Sequence, residues 1–280
     1  MTKFAVCFLL VFGELAFGGA FALAIPPFFE IERGFYKSSA AVYLSSGLVT
    51  AVGLGLLAMR AGGGKGTELS PSSLWFAAGL WTLFCVVLAL YLATLWSENG
   101  LLRARLYALA LAAGLAALVA NVLLLEPASF GFIAGAMYAL TAITSSLVLG
   151  LVSGGMLFGH WYLIDPNLPV DYLRSFVRLL GVALVADLVA LVLAIGLIAI
   201  AGGPSGFAAT RMLFDSNLAL LTTRLVLGPI ATLILVWMCW QTLKVPQTMA
   251  ATGLLYIAVM SALVGEMLGR FILFRTAVPL

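Results

Sequence analysis

The sequence predicts an all-α integral membrane protein, a single bundle of eight transmembrane helices with both termini on the same side. Three observations carry this. Hydrophobic residues fill 64% of the 280 positions and charged residues only 9%, against about 25% charged in soluble domains. Mean hydropathy is +1.17, and apolar runs recur that match the roughly 20 residues needed to cross a core of about 30 Å as a helix. The runs are continuous and do not alternate, which fits helices that satisfy their own backbone hydrogen bonds and not the strands of a barrel. No polar stretch is long enough for a soluble domain, so residues 1–280 are read as one transmembrane unit surrounded by membrane lipid.

The first span is expected at residues 4–25, ending at Pro26-Pro27. Small residues around Ala22-Leu23-Ala24 also suit a signal-peptide cleavage site, but the single Lys3 and the interrupting Glu14 favour a retained span. A connection with Glu30, Glu32, Arg33 and Lys37 among aromatics leads to the second span, 40–59. The following segment from Arg60 to Glu68 is glycine-rich. It lacks the GxxxxGK[ST] pattern and a preceding strand, so it is a flexible connector and not a phosphate loop.

The third span, 74–96, has Trp75 and Trp96 near its ends, as interfacial anchors do. Glu98, Arg103 and Arg105 mark a connection to the fourth span, 106–125, which Glu126-Pro127 closes. The fifth, 130–158, is long enough to tilt or to project. Its pairs Gly131/Gly135, Gly150/Gly154 and Gly155/Gly159 are expected to let other helices approach. A polar loop then holds His160, the one histidine of the chain, with Trp161, Tyr162 and Asp165. Pro169 suits the first turn of the next helix.

The sixth span, 176–200, carries Asp187 near its middle, with Tyr172, Arg174 and Arg178 at the preceding interface. A loop from Gly202 to Asn217, partly a surface helix, leads to the seventh span, 218–240. There Arg224 lies just inside and Gly228-Pro229 predicts a kink. After Lys244-Val245-Pro246 the eighth span, 249–274, contains Glu266 and Arg270. Basic residues number seven on each side, or five on the terminal side against seven without the embedded Arg224 and Arg270. That balance leans towards both termini outside.

An ionisable residue inside a span costs about 2.5–3.5 kcal/mol on insertion scales, so it faces a partner or a cavity. Glu14 lies about 15 Å deep at 1.5 Å per residue, and Asp187 is similarly deep from the other side. Glu266 and Arg270 share a face at i, i+4. Glu14, Arg224, Glu266 and Arg270 are therefore expected to meet in the terminal-side half. Such a group serves as a proton relay, in which Asp187 is a further candidate, as a polar wall for a quinone head group, or as an ion-pair network that fixes packing.

Cys7, Cys85 and Cys239 are widely spaced in apolar segments and read as buried thiols. One histidine does not supply a two-histidine haem site, and no His/Cys cluster provides zinc ligands. No metal site is therefore expected. A net charge of +3, scattered along the chain, gives no surface for nucleic acid. Ser153 has no elbow motif to make a nucleophile of it. His160 is either an interfacial anchor or a donor to a quinone carbonyl oriented by Asp165, with a single axial metal ligand as a third option.

The stretch Leu263-Val264-Gly265-Glu266-Met267-Leu268-Gly269-Arg270-Phe271 resembles the final helix of the dimethyl sulfoxide reductase membrane-anchor family, related to the polysulfide reductase and NrfD-like anchors. Val11-Phe12-Gly13-Glu14-Leu15-Ala16-Phe17-Gly18-Gly19 is similar to its opening helix. The middle of the chain departs from the family: Leu57-Ala58-Met59-Arg60 lacks the histidine expected there for quinol oxidation, and the Gly159-His160-Trp161-Tyr162 stretch is not a family feature.

The resemblance implies a non-catalytic membrane subunit of an oxidoreductase complex of anaerobic respiration, in a bacterial cytoplasmic membrane. It would dock iron–sulfur and catalytic, molybdenum-type subunits. Quinone or menaquinone would be contacted by Glu14, Glu266 and Arg270, with His160 as a second candidate. The alternatives are a proton-coupled secondary transporter using Glu14 and Asp187, and a ligand-free structural or assembly subunit.

Overall fold

A computed structural model of the protein describes residues 2–62, 69–127, 129–165, 167–245 and 247–280. Most of the glycine-rich connector, with Lys65 and Glu68, lies outside these residues, as do Pro166 and Pro246. The described residues form helices and no strands. Eight helical segments are long and apolar enough to span a membrane, so the chain is an integral membrane bundle in contact with lipid.

The spans are α1 (Thr2–Ala22), α2 (Arg33–Gly62), α3 (Pro71–Thr94), α4 (Gly100–Leu123), α5 (Phe132–Trp161), α6 (Val170–Ala201), α8 with α9 (Leu218–Leu225 and Ala231–Lys244), and α10 (Thr248–Thr276). The short α7 (Gly203–Ser216) lies between α6 and α8. It is the surface helix expected in that loop. Phe207, Met212 and Phe214 on it are exposed, Leu213 is buried, and Arg211 pairs with Asp215 at 3.0 Å.

Helices α1 and α5 form the centre. Helix α1 packs against α2, α4, α5 and α10, and α5 packs against α1, α4, α6 and α10. Glycine sets the closeness of the α1–α5 crossing. A methyl group on Gly18 or on Gly150 would overlap the backbone of the other helix. Of the three glycine pairs on α5, the two later ones act as expected: Gly154 faces Ala22 and Phe176, and Gly159 faces Thr252. The first pair does not. Gly131 has a positive φ of 78° just before α5, with open space around it, and Gly135 faces the Glu126 carboxylate. Its glycines serve a turn and a side chain, not a second helix.

Several boundaries differ from the hydropathy reading. Helix α2 starts at Arg33, not at residue 40, because its polar first turns are held at the surface by specific contacts. Phe35 and Tyr36 are buried, and the Tyr36 hydroxyl donates to the Pro26 carbonyl at 2.8 Å. Arg33 donates to both carboxylate oxygens of Glu98, at 3.0 and 2.7 Å. Helix α5 runs through His160 and Trp161, so these close a helix and are not in a loop. At 30 residues it is about 45 Å long, longer than a hydrocarbon core of about 30 Å. Pro169 stands immediately before α6.

Residues at the membrane boundary behave as anchors. Trp75 and Trp96 are exposed, and the Lys37 ammonium lies 4.1 Å from the Trp96 ring centroid. Opposite the terminal side, the Arg33 fork holds the Glu98 carboxyl below its usual range. A depressed folded value stabilises the protein above the ordinary carboxylate pKa, and this is lost as pH falls through the folded value. The thermal midpoint of Glu98→Gln is therefore expected below that of the native protein at neutral pH. The gap should close on acidification, and a constant gap would disprove the linkage.

Candidate functional site

Glu14 on α1, Asp187 on α6, Arg224 on α8, and Glu266 and Arg270 on α10 meet inside the bundle. All five are buried. They form a continuous chain. Arg270 reaches Glu14 Oε1 at 2.5 Å and Glu266 Oε1 at 2.5 Å. Arg224 reaches Glu266 Oε2 at 3.2 Å and Asp187 Oδ2 at 3.7 Å. Glu266 is the central link because it takes one arginine on each oxygen. Asp187 is completed by two hydroxyls, Thr144 at 2.9 Å and Ser145 at 3.1 Å, both donating to Oδ1.

Local sequence explains how bulky charges fit here. The i, i+4 spacing stacks Glu266 and Arg270 one turn apart. Gly228, Gly265 and Gly269 make room for the Arg224 side chain. A Cβ at Gly228 would lie 2.6 Å from an Arg224 terminal nitrogen, and one at Gly269 would lie 2.8 Å from its Nε. Pro229 cannot donate a backbone hydrogen bond, and the helix answers with a π-helical turn, Val226–Ile230, between α8 and α9. At Gly228-Pro229, where a kink is expected, the structure thus has a π-helical turn. Around it, Thr232 donates to the Gly228 carbonyl at 2.6 Å, and Ser261 on α10 donates to the Leu227 carbonyl.

Formal charge does not close within this chain. Three carboxylates face two guanidinium groups, so one additional proton brings the group to neutrality. Burying charge without a partner costs several kcal/mol per ion even after relaxation. Glu14 Oε2, Arg224 Nε, and Arg270 Nε and Nη1 are buried with no hydrogen-bond partner. Beside Asp187, Arg224 and Glu266 is a cavity of about 10 Å3, also lined by Pro229 and Thr232. That is the size of one water, against roughly 300 Å3 for the smallest ligand pockets. A quinone ring does not fit inside the network in this conformation.

The structure thus unites five of the six candidate residues and adds Asp187 to the four expected together. Depth counted along each span could not reveal that Arg224 bridges Asp187 and Glu266. His160 stands apart. It lies 15 residues beyond Ser145 on α5, or about 22 Å along the axis, and its side chain is exposed. Its Nδ1 is 3.3 Å from the Tyr256 hydroxyl. Asp165 instead accepts from the Asn167 amide at 3.2 Å, so the expected histidine–carboxylate pair is not formed.

Thr144 and Ser145 were not singled out from the sequence. The hydroxyl run Thr141, Thr144, Ser145, Ser146 in an otherwise apolar span was the available signal. The three cysteines are free and buried. Comparison of the chain with protein-family models, with curated proteins and with solved structures finds no match.

Proposed function

We propose that the protein is a proton-handling membrane subunit of an electron-transfer complex. The chain Glu14–Arg270–Glu266–Arg224–Asp187 would hold and pass one proton. The observation that carries this reading is the ratio of three carboxylates to two arginines in a site sealed from solvent. A network built only to hold helices together is cheapest with balanced charges. A surplus carboxylate instead creates a group that binds and releases a proton, and intramembrane charges of this kind mark such relays.

The redox setting rests on the resemblance of the first and last spans to the reductase anchors. It gains support from where those spans lie, because the two resembling segments meet through the Glu14–Arg270 contact. Oxidation of a quinol to a quinone releases two protons along with its two electrons, so a relay that carries protons away is what a membrane subunit of such a complex contributes. Any quinone would sit at the edge of the network, with iron–sulfur and catalytic subunits docked outside the membrane.

The test has two parts. Infrared difference spectra of the purified protein are expected to show a protonated carboxyl band that Glu266→Gln, Glu14→Gln or Asp187→Asn removes. No such band at any pH would end the relay. Mild-detergent purification from native membranes, followed by mass spectrometry, is expected to recover redox subunits and quinone. Recovery of the chain alone would remove the redox setting.

A proton-coupled secondary transporter is the second reading, and the π-helical turn beside Arg224 favours it. Transporters place broken helices at midplane sites. Uptake driven by a proton gradient in vesicles of the purified protein would select this reading over the first.

A further inference from the structure

A second site lies on the side opposite the termini, away from the charge network. A cavity of about 390 Å3 opens between the end of α1, the end of α3 and the start of α4. Its walls include Phe28, Tyr36, Tyr91 and Tyr107, with Arg103 at its inner surface and Ala104 at its exposed edge. The size is within the range of roughly 300–1,000 Å3 typical of ligand sites.

Arg103 makes this more than an apolar groove. It is 7% exposed. Among the described residues three arginines are buried, and Arg224 and Arg270 have carboxylate partners. Arg103 has none. One of its terminal nitrogens donates to the Thr94 and Ser97 carbonyls at 3.3 and 2.6 Å. Its guanidinium carbon lies 4.5 Å from the Phe28 ring centroid, and its Nε is buried without a partner. The nearby Glu98 is committed to Arg33 through two hydrogen bonds. Glu98 acts on Arg103 only at a distance, and since a buried cation is ordinarily paired directly, the site has a place for an anion from outside the chain.

The surroundings indicate which kind of anion. The walls are aromatic and aliphatic, and the cavity lies at the level of the anchor Trp96, where lipid head groups begin. Beyond Ala104 on the same face of α4, at i+4, i+7 and i+11, Ala108 and Leu115 are exposed and Leu111 is half-buried, and they offer an apolar track for an acyl chain. We propose that this cavity binds the phosphate head of an anionic membrane lipid. Arg103 receives the phosphate, the tyrosine rings enclose the glycerol portion, and the tail lies along α4. A free phosphate would share the Arg103 chemistry but would gain nothing from the apolar track.

The test uses the purified full-length protein after detergent delipidation. Binding is measured by native mass spectrometry and by thermal shift, with phosphatidylglycerol, diacylglycerol and inorganic phosphate as probes. Phosphatidylglycerol is expected to bind about tenfold more tightly than diacylglycerol, which lacks the phosphate, and that is what one charge-assisted contact supplies. Arg103→Gln should lose that preference. Because Arg103 also holds the end of α3, Ala104→Trp provides a second variant. It fills the cavity from its exposed edge and leaves the Arg103 hydrogen bonds in place. It should lose the preference while keeping the lipid-free thermal midpoint. Equal binding of the two lipids, or an undiminished preference in Ala104→Trp, would overturn the proposal. Displacement of the lipid by inorganic phosphate at matching concentration would also overturn it, by making this a soluble-anion site.

Discussion

Arg270→Gln should destabilise the protein by about 3–5 kcal/mol, the cost of leaving buried charge uncompensated. Arg270 is the one cation between Glu14 and Glu266, at 2.5 Å from each. Removing it leaves three carboxylates around Arg224 alone. The carboxylate variants should behave differently. Glu14→Gln or Asp187→Asn brings two acids against two arginines, so each should cost much less than the arginine variant. Reversible unfolding in mixed micelles, or detergent thermal melts, would compare the series. Equal losses for the arginine and carboxylate variants would mean that geometry and not charge balance controls the network. The Arg224→Gln variant extends the test, since Arg224 spans Glu266 and Asp187.

The second large effect is steric. Gly150→Leu is expected to prevent correct assembly, because α1 and α5 touch backbone to backbone at Gly18 and Gly150. Overpacking a core usually costs about 1–3 kcal/mol, when side chains can move aside. Here the obstructing atoms are backbone, so the helices must separate, and the central crossing of the bundle is lost with them. Gly79→Ala is the control. A Cβ there meets nothing within 4 Å, and removing a mid-helix glycine gains roughly 0.5–1 kcal/mol. Folded yield by gel filtration and melting would separate the two variants. A normal Gly150→Leu protein would show that the crossing is looser than the contact requires.

Much of this architecture was legible in the chain, for a simple reason. Lipid forces each span to be apolar and helical, so eight hydropathy peaks give eight helices. Embedded charges stand out against that background, which is why Glu14, Arg224, Glu266 and Arg270 could be grouped by depth. Depth does not give azimuth. Whether Asp187 faces lipid or Arg224 depends on the rotation of α6 against α8, and that is decided by packing. Helix ends were less legible, because hydropathy falls where a helix leaves the bilayer although the helix itself continues. Arg33–Ser39 and His160–Trp161 were misplaced for that reason. Arg103 looked like an ordinary interface charge until the fold buried it beneath Phe28.

The contact between Glu14 and Arg270 joins residues 256 positions apart. Translation at about 5–20 residues per second separates their emergence by roughly 13–51 s, so the first span enters the bilayer long before its counter-charge exists. Arg224 follows Asp187 by less than forty residues, and Glu266 and Arg270 arrive together on the last helix. Assembly therefore ends with a latch: α10 packs beside α1 and brings Arg270 to Glu14 and Glu266 to Arg224. Until then the nascent chain is an incomplete bundle with a polar seam, open to the chaperones and proteases that triage unfolded chains. A ribosome-stalled chain lacking α10 should be short-lived in the membrane, and supplying α10 as a separate peptide should rescue it.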